Sequence, residues 1–123
     1  MAVSTLLDAA ARAFAMVSLS DGNLSPSEEH RFARFVASDA ALKSAKTADV
    51  RAAWAQAVKD VKASPSFGAP LITIRTAVTS AGDKATVMRA AQSAVVADNK
   101  FELQENVAVR TLAEALGLDP EEY

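Results

Sequence analysis

Four carboxylates at repeated spacing are the side chains of this sequence best suited to bind a ligand. Asp21 precedes Glu28 by seven positions, and Asp98 precedes Glu105 by the same interval. Each pair begins at a short turn between helical segments. Carboxylate oxygens are the preferred ligands of hard cations such as Ca²⁺ and Mg²⁺. The spacing therefore predicts a divalent-cation site if the fold brings the four side chains together.

Each acidic turn resembles only part of a calcium-binding loop. Residues 21–28 fit the last eight positions of an EF-hand loop, with an acid, a glycine, an apolar residue and a closing glutamate. The first and third ligand positions would fall on Val17 and Leu19, and in the second copy on Ala94 and Val96. None of these has a side-chain oxygen, so a cation site would need both turns.

The same residues have a structural explanation without any ion. Gly22 accepts a left-handed turn conformation, and Ser25 followed by Pro26 is typical of a helix start. Glu28 would then complete a capping box with Ser25. Under this alternative the protein is a pure protein–protein interaction or scaffold module whose acidic turn residues only cap helices.

Composition excludes several classes of function. The chain has no cysteine and one histidine, His30, which excludes disulfides, cysteine-based zinc sites and multi-histidine sites within one chain. We expect His30 to be solvated. No nucleophile, oxyanion hole or glycine-rich phosphate loop is evident, so we predict no catalytic activity. The net charge of −2 does not favour nucleic acid.

The elements that position these residues are predicted to be helices. Half of the 123 residues are apolar and 6% are aromatic, which is typical of a compact all-α bundle in a single domain, residues 1–123. Apolar periodicity predicts helices over 4–20, 26–37, 48–63, 67–80, 84–97 and 103–116, with a seventh starting after Gly117. Gly82 and Asp83 are expected to break the chain, and Thr47 to cap the third helix.

The two acidic turns predict an internal repeat. Helix one would correspond to helix five, and helix two to helix six, in a pseudo-twofold bundle of six to seven helices. Trp54 and Met88 lie in apolar stripes and are expected in the core. Arg75 and Arg89 are expected to counter the acidic turns. No stretch approaches the roughly 18 apolar residues that span a bilayer, so we predict a cytoplasmic protein without membrane insertion.

Three segments resemble the tellurite-resistance TerB-like family. They are residues 19–29 and 96–105, each of which ends one helix and opens another, and the tail 112–120. The resemblance covers nearly the whole chain. It implies an all-α fold of about seven helices, with acidic residues from two turns gathered on one surface. The sequence departs from the family pattern at Asn99 and Lys100, and the lysine adds positive charge where a cation would sit.

The resemblance also implies a role. Family members are linked to tellurite and other chemical-stress responses, and to the binding of metal ions or of partner proteins near membranes, without catalysis. The expected function is a stress-associated cytoplasmic module whose acidic surface holds a divalent cation or recognises a membrane-associated protein partner.

Overall fold

Six α-helices make up most of the described part of the chain in this computed structural model, which comprises residues 3–19, 27–64, 68–97 and 103–118. No strand occurs in those ranges, so the predicted all-α fold is confirmed. The helices are α1 (Val3–Ser18), α2 (Ser27–Ser38), α3 (Thr47–Ala63), α4 (Gly68–Ala77), α5 (Ala81–Ala97) and α6 (Leu103–Ala115).

The first helix is the centre of the bundle. α1 contacts all five other helices, most extensively α5 and α3. From Leu6 to Ser18 every side chain except that of Asp8 is buried. Five of these residues are alanines, whose small side chains allow neighbouring helices to approach closely. Apolar residues at helical spacing predicted this helix, and the structure buries α1 on nearly all sides, as expected for a helix that is apolar nearly all round.

Three aromatic rings join α1, α2 and α3. Phe14 meets Phe32 edge to face with ring centroids 5.5 Å apart, and Trp54 at 5.7 Å. Phe32 and Trp54 stack at 5.3 Å. Such pairs contribute about 0.5–1.5 kcal/mol beyond the area that they bury. The predicted core positions of Trp54 and Met88 are both confirmed.

The predicted break at Gly82 and Asp83 is wrong, since both residues lie in the first turn of α5. Ser80 is the N-cap of this helix, because its Oγ accepts a hydrogen bond from the backbone N–H of Asp83 at 3.1 Å. This serine cap overrides the turn signal of the glycine. The predicted cap of α3 is also wrong. Lys46 occupies that position without a side-chain hydrogen bond, and Thr47 is the first helical residue.

Gly117 ends α6 as predicted. Its φ of 74° lies in the left-handed region. The N–H of Leu118 donates to the carbonyl of Ala113 at 2.9 Å, and the N–H of Gly117 donates to that of Glu114 at 3.1 Å. These two bonds form a Schellman motif, which satisfies carbonyl groups at the end of the helix.

The predicted internal repeat is compatible with the packing but stays a prediction. A twofold relation that exchanges α1 with α5 and α2 with α6 would relate the α1–α6 contact to the α5–α2 contact, and both contacts are present. Both acidic turns, however, lie outside the described residues. A separate finding concerns membranes: in the described segments, no helix has the length and apolar character required to cross a bilayer.

Candidate functional site

Glu28 is a buried carboxylate at the junction of α1 and α2. It is the second residue of α2, and 5% of its surface is exposed. Its Oε2 accepts a hydrogen bond of 3.1 Å from the hydroxyl of Ser18, the last residue of α1. Its Oε1 accepts one of 3.3 Å from Nη1 of Arg31, one turn further along α2. The carboxylate thus joins the end of α1 to the start of α2, on either side of the first acidic turn.

The environment of Glu28 suits a negative charge. The N-terminus of α2 carries a partial positive charge, which favours a carboxylate in the first turn. Arg31 adds a full positive charge, with 36% of its side chain exposed. A cation at Glu28 would therefore compete with Arg31 or displace it. The predicted solvation of His30, two residues further along α2, is confirmed, since this side chain is exposed.

The other three predicted ligands cannot be placed beside Glu28. Asp21 and Asp98 lie outside the described residues, and Glu105 lies in α6 with its side chain outside them. Among the described side chains, no group of three or more histidine and acidic residues is close enough to hold a metal ion. The convergence of the four carboxylates therefore stays a prediction.

A groove lined mostly by polar residues lies beside this junction, between α2 and α5. Its volume is about 870 Å³. The principal lining side chains are three arginines, two serines and a phenylalanine: Arg31, Arg34, Phe35, Ser38, Arg89 and Ser93. Sequence periodicity does not reveal this groove, because its arginines are divided between two helices that are far apart in the chain.

Asp39 and Arg89, both in the lining of the groove, form an ion pair. Nε and Nη2 of Arg89 donate to the two carboxylate oxygens at 2.9 and 3.2 Å, and the N–H of Ala41 donates to Oδ1 at 2.9 Å. Burial alone would raise the pKa of Asp39, but these hydrogen bonds and the charge of Arg89 outweigh it and hold the pKa below its ordinary value. Asp39 in turn raises the pKa of Arg89. The predicted role of Arg89 was to counter the acidic turns, whereas its observed ion-pair partner is Asp39.

A second ion pair lies in the core, between α1 and α3. Nε of Arg12 donates to Oδ2 of Asp60 at 3.0 Å, and Nη2 donates to the same oxygen. Nη1 donates to the backbone carbonyl of Asp8 at 3.1 Å. Asp60 also accepts a hydrogen bond from Gln56. The signal that could have revealed this pair is an arginine in an otherwise apolar helix, because a buried guanidinium needs an acidic partner.

Together these features define a class: an all-α bundle with a central apolar helix and a buried glutamate at an acidic helix-connecting turn. The family model of the tellurite resistance protein TerB matches residues 7–123. The chain therefore belongs to the TerB family, and the resemblance noted from the acidic turns is confirmed. Comparison with curated proteins and with solved structures gave no significant match.

Proposed function

We propose that this TerB-family protein is a non-enzymatic, cytoplasmic module of a tellurite-resistance-like stress response that holds a divalent cation at its acidic turns. The ligands would be Asp21, Glu28, Asp98 and Glu105, and the cation would be of the Ca²⁺ or Mg²⁺ type. Membership of the family supports the link to tellurite resistance. In this proposal the cation relieves the repulsion between converging carboxylates and so fixes the surface that a protein partner recognises.

The observation that carries the cation proposal is the environment of Glu28. Burying a carboxylate is costly unless hydrogen bonds or an opposite charge compensate it. Glu28 is almost fully buried beside the acidic turn, with the hydroxyl of Ser18 next to it. A buried carboxylate and a neighbouring hydroxyl supply the oxygen atoms that hard cations prefer. A glutamate that served only as a surface helix cap would not need this burial.

A second candidate function has its own observation. Arg31 already supplies a positive charge to Glu28, so the carboxylate is compensated without a metal. This favours the alternative in which the acidic turns are helix-start architecture and the protein is an interaction module. Its partner would be an unidentified, membrane-associated protein, and the module itself would neither insert into the bilayer nor bind nucleic acid.

Thermal unfolding of chelator-treated protein separates the two candidates. The protein is titrated with Ca²⁺, Mg²⁺, Mn²⁺ and Zn²⁺, beside the double variant Asp21→Asn with Asp98→Asn. A cation at 100 times its Kd stabilises the folded state by about 2.7 kcal/mol, which corresponds to a rise in Tm of about 10 °C for a domain of this size. The cation proposal predicts this rise in the wild type and its loss in the double variant.

Glu29→Gln is the matched control for charge removal. Glu29 is in the same first helical turn as Glu28 but is less buried, so this variant should keep the response to the cation. A flat response of the folded wild type to all four ions would refute the cation proposal. The interaction module predicts that result, together with a cost of about 0.5–2 kcal/mol in the double variant from weakened turn and cap contacts.

A further inference from the structure

We propose that the groove between α2 and α5 is an anion-binding site that takes a small molecule bearing a phosphate or pyrophosphate group. The groove shares Arg31 with the Glu28 junction, and the binding of an anion there does not require the proposed cation. Its recognition elements for the anion are the guanidinium groups of Arg31, Arg34 and Arg89 together with the hydroxyl group of Ser93.

The charge of the lining favours an anion. Among the described residues that line the groove, three are arginines and one, Asp39, is a carboxylate. Asp39 is neutralised by Arg89, and the charge of Arg31 is offset by Glu28, outside the lining. Arg34 is exposed and forms no ion pair with any residue of the described ranges. Within the part of the chain that the structure describes, Arg34 therefore carries the lining charge that no ion pair offsets.

The two paired arginines can also contribute. Arg89 uses Nε and Nη2 for Asp39, and 47% of its side chain is exposed. Asp39 thus fixes the guanidinium of Arg89 in the lining of the groove while much of that side chain remains accessible. Arg31 uses Nη1 for Glu28 and is also more than a third exposed. Guanidinium groups bind phosphate oxygens through paired hydrogen bonds, which a point charge such as lysine cannot reproduce.

The size and the remaining lining indicate a small molecule with an organic part. A volume of about 870 Å³ lies in the range of small-molecule sites, about 300–1,000 Å³. Phe35 is partly buried against the core and lines the groove. Its ring offers an apolar surface beside the arginines, against which the planar ring of a phosphorylated ligand can pack. Ser38 donates its hydroxyl hydrogen to the carbonyl of Phe35 at 3.1 Å, so its oxygen can accept a hydrogen bond from a hydroxyl or amino group of the organic part.

Isothermal titration calorimetry and amide NMR shifts test the proposal on the full chain in chelator, without divalent cations. Pyrophosphate, ADP and adenosine are the probes. We expect pyrophosphate and ADP to bind and to shift the amides of Ser38 and Ser93. Arg34→Ala should raise the Kd at least about tenfold, because a hydrogen bond to a charged group is lost. Arg34→Lys should restore binding only in part.

Arg51→Ala is the matched control. Arg51 is an exposed helical arginine on α3, outside the groove lining, and its loss should change the Kd less than about twofold. Tighter binding of ADP than of pyrophosphate would indicate that Phe35 packs against the organic part of the ligand. Equal binding would indicate that the site recognises the phosphate groups alone. No binding of either anion, or equal weakening by the Arg34 and Arg51 variants, would overturn the proposal. Since divalent cations are excluded, this result is independent of the cation titration.

Discussion

Removing the carboxylate of Asp60 is expected to destabilise the fold more than removing the guanidinium of Arg12, although the two groups form one ion pair. The reason is their unequal exposure. The side chain of Arg12 is 8% exposed and that of Asp60 is 29% exposed. In Asp60→Ala, Arg12 keeps its hydrogen bond to the carbonyl of Asp8 but becomes an uncompensated charge in the core. In Arg12→Met, Asp60 can turn to water and keep its bond to Gln56.

The magnitudes follow from these exposures. Removing one partner of a fully buried ion pair lowers the free energy of unfolding by about 3–5 kcal/mol, because the other charge is left uncompensated. Because Asp60 lies at the edge of the core, we expect the lower value of about 2–3 kcal/mol for Asp60→Ala, which lowers Tm by about 8–12 °C. Arg12→Met should cost less than about 1 kcal/mol, since methionine fills the space of the arginine stem. The double variant should resemble Arg12→Met, with a coupling energy of about 2 kcal/mol.

Urea unfolding followed by circular dichroism and by the fluorescence of Trp54 measures all four free energies of unfolding. Glu114→Ala, which removes an exposed carboxylate on α6, is the control and should change stability by less than about 0.5 kcal/mol. The reasoning would be refuted by a cost below about 1 kcal/mol for Asp60→Ala, or by a double variant as unstable as the sum of the two single variants.

Two further predictions concern backbone conformation and pH. Gly117→Ala should destabilise the protein by about 1 kcal/mol, because φ is 74° there. Gly82 lies in the first turn of α5 with open space where a Cβ would be added, so Gly82→Ala should stabilise the protein by about 0.4–1 kcal/mol. Thermal unfolding of both variants measures the two shifts in Tm, and shifts of the same sign would contradict this prediction. The pKa of Asp39 is lowered in the folded state, so its ionised form stabilises the fold above the unfolded value of 3.8, and this contribution is lost as the pH falls through the folded pKa. The difference in urea midpoint between wild type and Asp39→Asn should therefore be largest near neutral pH and shrink below 3.8, and a difference independent of pH would contradict the role of the pair with Arg89.

The helices were predictable because their signals are local. Apolar residues recur at helical spacing, which placed Trp54 and Met88 in the core and identified all six helices within a few residues at most ends. The run 71–74 is rich in β-branched residues but forms helix in α4, where Ile74 is buried and Ile72 is exposed. Here the helical spacing of burial outweighs the β-propensity, and the described segments contain no strand to pair with this run. The start of α5 was predicted three residues too late, because Gly82 is typical of a turn, whereas the hydroxyl of Ser80 caps the helix before it.

The polar contacts were not predictable from such signals. Ser18 and Glu28 are 10 positions apart in the chain, and Asp39 and Arg89 are 50 apart. Partners at these separations depend on how helices pack, which periodicity within one helix does not determine. The acidic turns themselves were recognised from spacing, but whether their four carboxylates converge depends on the same packing.

The position of α1 has a consequence for the order of events during synthesis. α1 is made first, yet the helix that covers it most extensively, α5, follows only after α2, α3 and α4. Until α5 has left the ribosome, the side of α1 that packs against α5 in the folded protein remains exposed. Such exposed surfaces favour aggregation and attract chaperones. The bundle should thus complete its fold late and in one cooperative step, and a nascent chain that stops before α5 should not form a stable half-bundle.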